Sequence, residues 1–240
     1  MTGEMHDQNK AERERLKKEA SLCAVEEIKS GMIIGLGSGT TVRFALEEIG
    51  TRIAAGLLRD VMGIPSSSDT EKLALQCGIP LTSFDVHTVI DLNIDGADEV
   101  DQHLNLIKGG GGALLREKIV AQASKRTLIV IDESKLSRFL GEKMPVPVEV
   151  VPFSWKAEAA FLASLGSRTV LRERSGMPFI TDQGNYIVDC CFNKIKNPTK
   201  LALLLSQRAA VMEHGLFIGL ASEVIVAGPG GIQRMKRSET

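Results

Sequence analysis

No charge of one sign dominates this chain: 29 lysines and arginines stand against 30 aspartates and glutamates in 240 residues. A broadly basic surface for nucleic acid or an anionic membrane is not expected, so any anionic ligand must be held by a local constellation. Cysteine is scarce. Cys23, Cys77, Cys190 and Cys191 have neither the CxxC spacing of zinc and redox sites nor the density of a disulfide-stapled secreted domain, and they read as thiols in a reducing compartment. Cys190 and Cys191 alternate sides of a predicted strand, which points one of them at the core. No run approaches about eighteen uncharged apolar residues, and the charged N-terminal stretch lacks the apolar centre of a secretion signal. The expectation is a cytoplasmic protein with no membrane partner. His6, His87, His103 and His214 lack ligand spacing and are expected to be structural or exposed. There is no GxSxG motif, internal repeat or low-complexity tract.

What is present is ordinary globular composition, 43% apolar and 25% charged, with glycine concentrated at a few points. Ala11 to Ser30 has helical spacing and is stopped by Gly31. Met32 to Leu36 reads as a strand that breaks into GSGTT and resumes as a helix. Arg59 to Ile64, Leu81 to Phe84, Thr88 to Ile94 and Thr127 to Asp132 read as further strands, with helices over Asp69 to Cys77 and Ala113 to Ala123. This alternation predicts βαβ units and a mainly parallel sheet, a Rossmann-like α/β domain. From about Glu142 the texture changes. A proline-punctuated valine strand, a helix over Trp155 to Leu165, strands over Thr169 to Arg174 and Phe179 to Phe192, the second open to division by a turn at Asp182, Gln183, Gly184 and Asn185, and a helix from Pro198 to about Ala209 predict a smaller ferredoxin-like α+β domain. The expected division is 1–141 with 217–240 for the first domain and 142–216 for the second. Val224 to Ala227 and the GPGG that follows form a strand and turn that rejoin the first sheet.

Chemistry concentrates between Asp95 and Lys118. DGADEVD (Asp95 to Asp101) follows a strand, IKGGGG sets Lys108 before Gly109 to Gly112, and REK places Glu117 about a turn into the next helix. Four glycines in a row carry a large ordering cost, which close approach of a ligand to backbone explains better than an ordinary loop does. REK alone is usually a solvated helix face, and an Asp-Gly cluster alone is usually a turn. Together with Lys108 they supply a candidate base and a cation. Paired carboxylates also suit a polyhydroxyl ligand or a metal ion, and metal ranks low. GLGSGTT (Gly35 to Thr41) lies between strand and helix, where backbone amides and the helix dipole favour an anion. It matches neither GxGxxG nor GK[ST], so a nucleotide is not implied. The bland alternative is a tight turn with a hydroxyl cap. Ser66 to Ser68 read as a loop and cap with a secondary ligand contact.

In combination, GLGSGTT, DGADEVD, IKGGGGALLREKI and DESK resemble the type A ribose-5-phosphate isomerase family over most of the chain. That resemblance implies interconversion of D-ribose 5-phosphate and D-ribulose 5-phosphate without a metal or organic cofactor, in a Rossmann-like domain bearing a ferredoxin-like one, as a homodimer or higher homo-oligomer. It carries the base to Glu117, the acid pair to Asp95 and Asp98 and the loop lysine to Lys108. Substrate contacts fall on Ser38, Gly39, Thr40 and Thr41; on Asp95, Gly96, Ala97 and Asp98; on Lys108, Gly109, Gly110 and Gly111; and on Lys135 of DESK, with Lys17 near the phosphate. The first loop reads GSGTT where the family often has a GTGST-like order, and four glycines stand where many relatives have three and an alanine.

The residue chemistry suits aldose-ketose isomerisation. One base accepts a proton at one carbon and returns it at the next, while a cation meets the charge that develops on oxygen. Two other readings compete: a sugar-phosphate-sensing module without turnover, and a nucleotide-dependent enzyme that uses the first loop. A sensor has no need of a base, and nothing in the chain resembles a DNA-binding extension.

Overall fold

The computed structural model describes residues 2–237, with side chains from residue 10 onward. Two compact units emerge. The first holds residues up to Gly96, Val120–Lys135 and residues from Ala221; the second holds Ala97–Ile119 and Leu136–Leu220.

A six-stranded sheet forms the first unit, in the order Gly231–Lys236, Glu223–Gly228, Thr127–Asp132, Leu92–Asp95, Ile33–Leu36, Met62–Pro65. Five strands are parallel and the last joins antiparallel through a hairpin whose final pair is Gly228 with Gly231. Strands covered on both faces should be apolar throughout, and every residue of Thr127–Asp132 is buried. Leu16, Ala20 and Ala24 of the helix Thr2–Val25 share a core with Leu46, Ile49, Leu128 and Ile225. From Ile33–Leu36 the chain crosses to Met62–Pro65 on one side and returns to Leu92–Asp95 on the other. That reversal opens a crevice beyond the carboxyl ends of the two inner strands, where ligands of such sheets bind.

Two local expectations need correction, and one strand is added. The first helix ends at Val25, not Ser30, because Glu27 N–H and Ile28 N–H bond three residues back and turn the chain. Leu81 to Phe84 is not a strand: Leu81 makes one isolated bridge to Gly63, and Ser83 O then accepts from Val86 and His87 N–H. Gly231–Lys236 is a full edge strand that was not anticipated.

A four-stranded antiparallel sheet organises the second unit, ordered Val211–His214, Val146–Val150, Tyr186–Cys191, Arg168–Leu171. With the helices Trp155–Ser164 and Pro198–Ser206 this is βαββαβ connectivity, the ferredoxin-like pattern. Val146, Val148, Val150, Leu162, Val188 and Leu205 fill its core together with Cys190, while Cys191 is half-buried, as strand alternation requires. The turn read at Asp182 to Asn185 does divide the stretch Phe179 to Phe192: Thr181 N–H bonds to Asn185 O at 2.9 Å, and the long strand runs over Tyr186–Cys191. A three-stranded ribbon of Glu99–Val100, Leu106–Ile107 and Leu216–Phe217 completes the unit. Among the described residues no helix is long and apolar enough to cross a membrane.

Candidate functional site

In the first unit the GSGTT loop joins the strand Ile33–Leu36 to the helix Thr40–Ala54, next to the end of the strand Leu92–Asp95. Gly37 N–H bonds to Ile94 O at 3.0 Å, and Asp95 Oδ1 accepts from Ser38 N–H at 3.1 Å and Gly96 N–H at 2.8 Å. Asp95 is therefore fixed by backbone donors, at 1% exposure. A Cβ on Gly37 would lie 2.3 Å from Asp95 Oδ1 and 2.6 Å from its Cα, so only glycine admits this approach. Gly39 takes φ 101° and caps the helix with no side-chain hydrogen bond. The first-turn amides of that helix are left without a side-chain cap, an arrangement suited to an anion.

Ser38 Oγ sits among three hydroxyls, Ser66 and Ser67 Oγ at 2.9 Å and Thr70 Oγ1 at 3.1 Å, and Thr70 Oγ1 donates to Gly37 O at 2.9 Å. Ser67 also caps its own helix through Thr70 N–H. The serine run is thus both a cap and a brace for the first loop. Lys17 Nζ donates to Thr40 Oγ1 at 3.2 Å and to Glu14 Oε1 at 2.9 Å, which holds a cation at the helix start. Thr41 O accepts from Ser21 Oγ at 2.8 Å. Lys135 is half-buried in the short turn Glu133–Lys135 after the strand Thr127–Asp132. Of the residues expected here, Lys17, Ser38 and Thr40 belong to the same bonded surroundings as Asp95 or the helix start. Lys135 lies at the end of a different strand.

The second unit carries the rest. Lys108 Nζ lies 3.3 Å from Glu117 Oε1 with both side chains almost wholly buried, 4% and 6% exposed. Lys108 follows the ribbon strand Leu106–Ile107 and is pinned by its own N–H to Gly215 O at 2.9 Å; Glu117 stands in the first turn of the helix Leu114–Gln122. Between them Gly109 and Gly112 have φ 97° and 93°, and Gly112 N–H closes onto Gly109 O at 3.0 Å. Gly110 N–H donates to Asp98 Oδ2 at 2.7 Å, tying the acidic segment to the glycine turn. Ala97 is half-buried beside Asp98.

The acidic cluster separates by role. Asp101 accepts from His103 N–H, Asn105 N–H and Asn105 Nδ2, at 2.8, 2.9 and 3.0 Å, and shapes a turn. Glu99 accepts from the N–H groups of Gly141, Lys143 and Met144 at 3.0, 3.2 and 3.2 Å. Both are structural carboxylates.

Two features were invisible in the local sequence. Lys118, beside Glu117, is buried and donates to Glu213 Oε1 at 2.6 Å and His214 O at 2.7 Å, 4.8 Å above the Phe217 ring. Burial pulls its pKa below the ordinary lysine range, and burial followed by the Lys118 charge lowers His214 to about 4, so this histidine is a neutral structural group. The second feature is Arg172, which donates to the carbonyls of Gly109 and Gly110 at 2.8 and 3.1 Å. No group of three or more His, Cys, Asp or Glu side chains is placed to hold a metal ion among the described residues.

Comparison with known proteins locates this geometry. Residues 62–231 match the family model described as ribose 5-phosphate isomerase A (phosphoriboisomerase A). The chain is 54% identical over 222 residues to ribose-5-phosphate isomerase A of Desulfatibacillum aliphaticivorans, covering 92% of this chain and 96% of that one. A solved D-ribose-5-phosphate isomerase in complex with phospho-erythronic acid superposes with TM-score 0.92 at 38% identity, over 93% of this chain and 99% of that one. Ribose 5-phosphate isomerase from Plasmodium falciparum gives 0.91 at 39%, over 94% and 100%.

Proposed function

Because this chain belongs to the ribose 5-phosphate isomerase A family, we propose that Glu117 is the base that carries the proton as D-ribose 5-phosphate and D-ribulose 5-phosphate interconvert. The observation that carries this reading is the buried pair of Glu117 and Lys108, 3.3 Å apart. A carboxylate held this way sits next to a cation able to meet the charge that builds on oxygen when the proton leaves carbon. The proton is taken from C2 of the aldose and returned at C1 of the enediolate, and Lys108 stabilises the oxyanion between the two transfers.

Asp95 is assigned to proton transfer between sugar oxygens and to ring opening, and Asp98 to orienting hydroxyls. Ser38, Gly39, Thr40 and Thr41 are assigned to the phosphate, with Lys17 and Lys135 as its cations. The amide-rich loop and the uncapped helix start favour that assignment. The solved relative noted above holds phospho-erythronic acid. A phosphate at one end and a carboxylate at the other match, in chemical kind, the anchor and the enediolate that these residues are proposed to hold. A sensor without turnover is not favoured, since the base and its cation are kept as a buried pair.

Four free thiols suit a reducing cytosol, and burial pushes Cys190 up to about 12, which makes it unreactive. The proposed assembly is a homodimer or larger homo-oligomer, and a monomer mass in sedimentation velocity would overturn it. The function itself is tested by ketose formation from ribose 5-phosphate with no added cofactor. Glu117→Gln should lower kcat by about 10²- to 10⁴-fold with KM little changed. Near-normal turnover in a folded Glu117→Gln protein would remove Glu117 from the role of base.

A further inference from the structure

Arg172 lies outside the motifs that identify the family, yet its guanidinium donates to two successive carbonyls of the glycine turn. Its backbone is fixed on both sides, by Arg172 N–H to Ile187 O at 2.8 Å and Phe179 N–H to Arg172 O at 2.8 Å. Its guanidinium forks onto Asp189, Nε to Oδ2 at 2.9 Å and Nη2 to Oδ1 at 2.5 Å, with the two side chains only 15% and 20% exposed. This is the bidentate geometry that only arginine offers. The remaining nitrogen, Nη1, donates to Gly109 O at 2.8 Å and Gly110 O at 3.1 Å. The same segment meets the far end of the turn, for a Cβ on Gly112 would fall 2.4 Å from the Phe179 ring.

Two consecutive carbonyls drawn to one nitrogen set the direction of two consecutive amides. In a planar trans peptide the N–H points opposite to the C=O, and no cis bond occurs among the described residues. With Gly109 O on Arg172, the Gly110 N–H is turned away from it, and it is found on Asp98 Oδ2 at 2.7 Å. With Gly110 O on the same nitrogen, the Gly111 N–H is turned away from Arg172 as well. A run of glycines has no side chains to enforce this orientation, so it has to be imposed from outside.

We infer that Arg172, oriented by Asp189, is a positioning residue for the isomerase reaction, holding the glycine turn so that the Gly111 amide and Asp98, itself held by the Gly110 amide, face the sugar beside Lys108. This rests on the assignment of Lys108, Asp98 and Glu117 made above. Arg172 is assigned no part at the reacting atoms; its bonds go to Asp189 and to the turn carbonyls, so its effect passes through the turn. Misplacement of a site by about 1 Å costs on the order of 100-fold in rate.

The test compares Arg172→Ala, Arg172→Lys and Glu117→Gln in the full-length protein, measuring kcat, KM for ribose 5-phosphate and Tm. Arg172→Ala should lose about 10- to 100-fold in kcat with KM within about threefold, and added guanidinium should restore part of the loss. Arg172→Lys keeps a single charge without the fork and should fall between wild type and alanine, which keeps the inference testable if the alanine variant does not fold. Wild-type kcat in Arg172→Lys, or a loss in either variant that follows Tm or KM and is not relieved by guanidinium, overturns it. Glu117→Gln separates the two ideas. If it retains turnover, the reading of the base fails; if it is inactive while the Arg172 variants are normal, only the positioning role fails.

Discussion

Neighbouring glycines in one turn give opposite predictions, and the contrast tests why the turn is made of glycine. At Gly112 the backbone has φ 93°, and an added Cβ would lie 2.4 and 2.5 Å from two atoms of the Phe179 ring. Gly112→Ala therefore combines left-handed strain of about 1–2 kcal/mol with overpacking of about 1–3 kcal/mol, roughly 2–5 kcal/mol in total. For a chain of this length that corresponds to a fall in Tm of about 4–20 °C. At Gly111, one residue earlier, an added Cβ meets nothing within 4 Å and φ lies outside the left-handed region. Gly111→Ala should leave Tm unchanged or slightly raised, since alanine narrows the unfolded ensemble by about 0.4–1 kcal/mol. If the sugar passes close to this backbone, the same methyl should nevertheless lower kcat/KM on the order of 10- to 100-fold. Calorimetry and the ketose assay on the two proteins read both halves. A Gly111→Ala enzyme with wild-type kcat/KM would refute the claim that glycine is there for the ligand, and an unshifted Tm in Gly112→Ala would refute the steric argument.

That pair also shows which parts of the molecule the sequence discloses. Strand, loop and helix around GSGTT are encoded within a dozen residues, because an apolar run, a glycine break and a helical period are local signals. Asp101 is set aside by donors at His103 and Asn105, but the separation of Glu99 from Asp95 and Asp98 is not local. It depends on amides of Gly141, Lys143 and Met144 that arrive some forty residues later. Arg172 and Asp189 are remote in the same way: Arg172 directly follows the strand Arg168–Leu171 and Asp189 lies on the strand Tyr186–Cys191 paired with it, and they reach the glycine turn only after folding. The first helix was read too long because Ile28 is buried, at 5% exposure, from a turn that continues the helical period without continuing the helix. Gly231–Lys236 was missed for the converse reason. Its residues are almost all exposed, so as an edge strand it has no apolar face to announce it.

Two further predictions concern ions and pH. Dialysis against a chelator should leave turnover unchanged, since Glu117 and Lys108 are assigned both the proton and the developing charge. Loss of activity restored by added magnesium would overturn that assignment. Glu149 gives a pH signature unconnected with catalysis. It lies on the strand Val146–Val150 at 1% exposure, with Oε1 accepting from Thr181 Oγ1 at 2.8 Å and Asn185 Nδ2 at 2.9 Å. Burial raises its pKa above the ordinary value of 4.5, outweighing those two donors. An acid whose pKa is raised by folding binds more protons folded than unfolded, so its contribution is complete below 4.5 and is lost as pH climbs through the raised value. Glu149→Gln has no such titration. The Tm of the wild type relative to the variant should therefore be most favourable near pH 4.5 and decline toward neutrality, as read by scanning calorimetry at fixed ionic strength. A difference that instead moves in favour of the wild type as pH rises would mean the carboxylate is stabilised charged, by the Thr181 and Asn185 donors, against the cost of its burial.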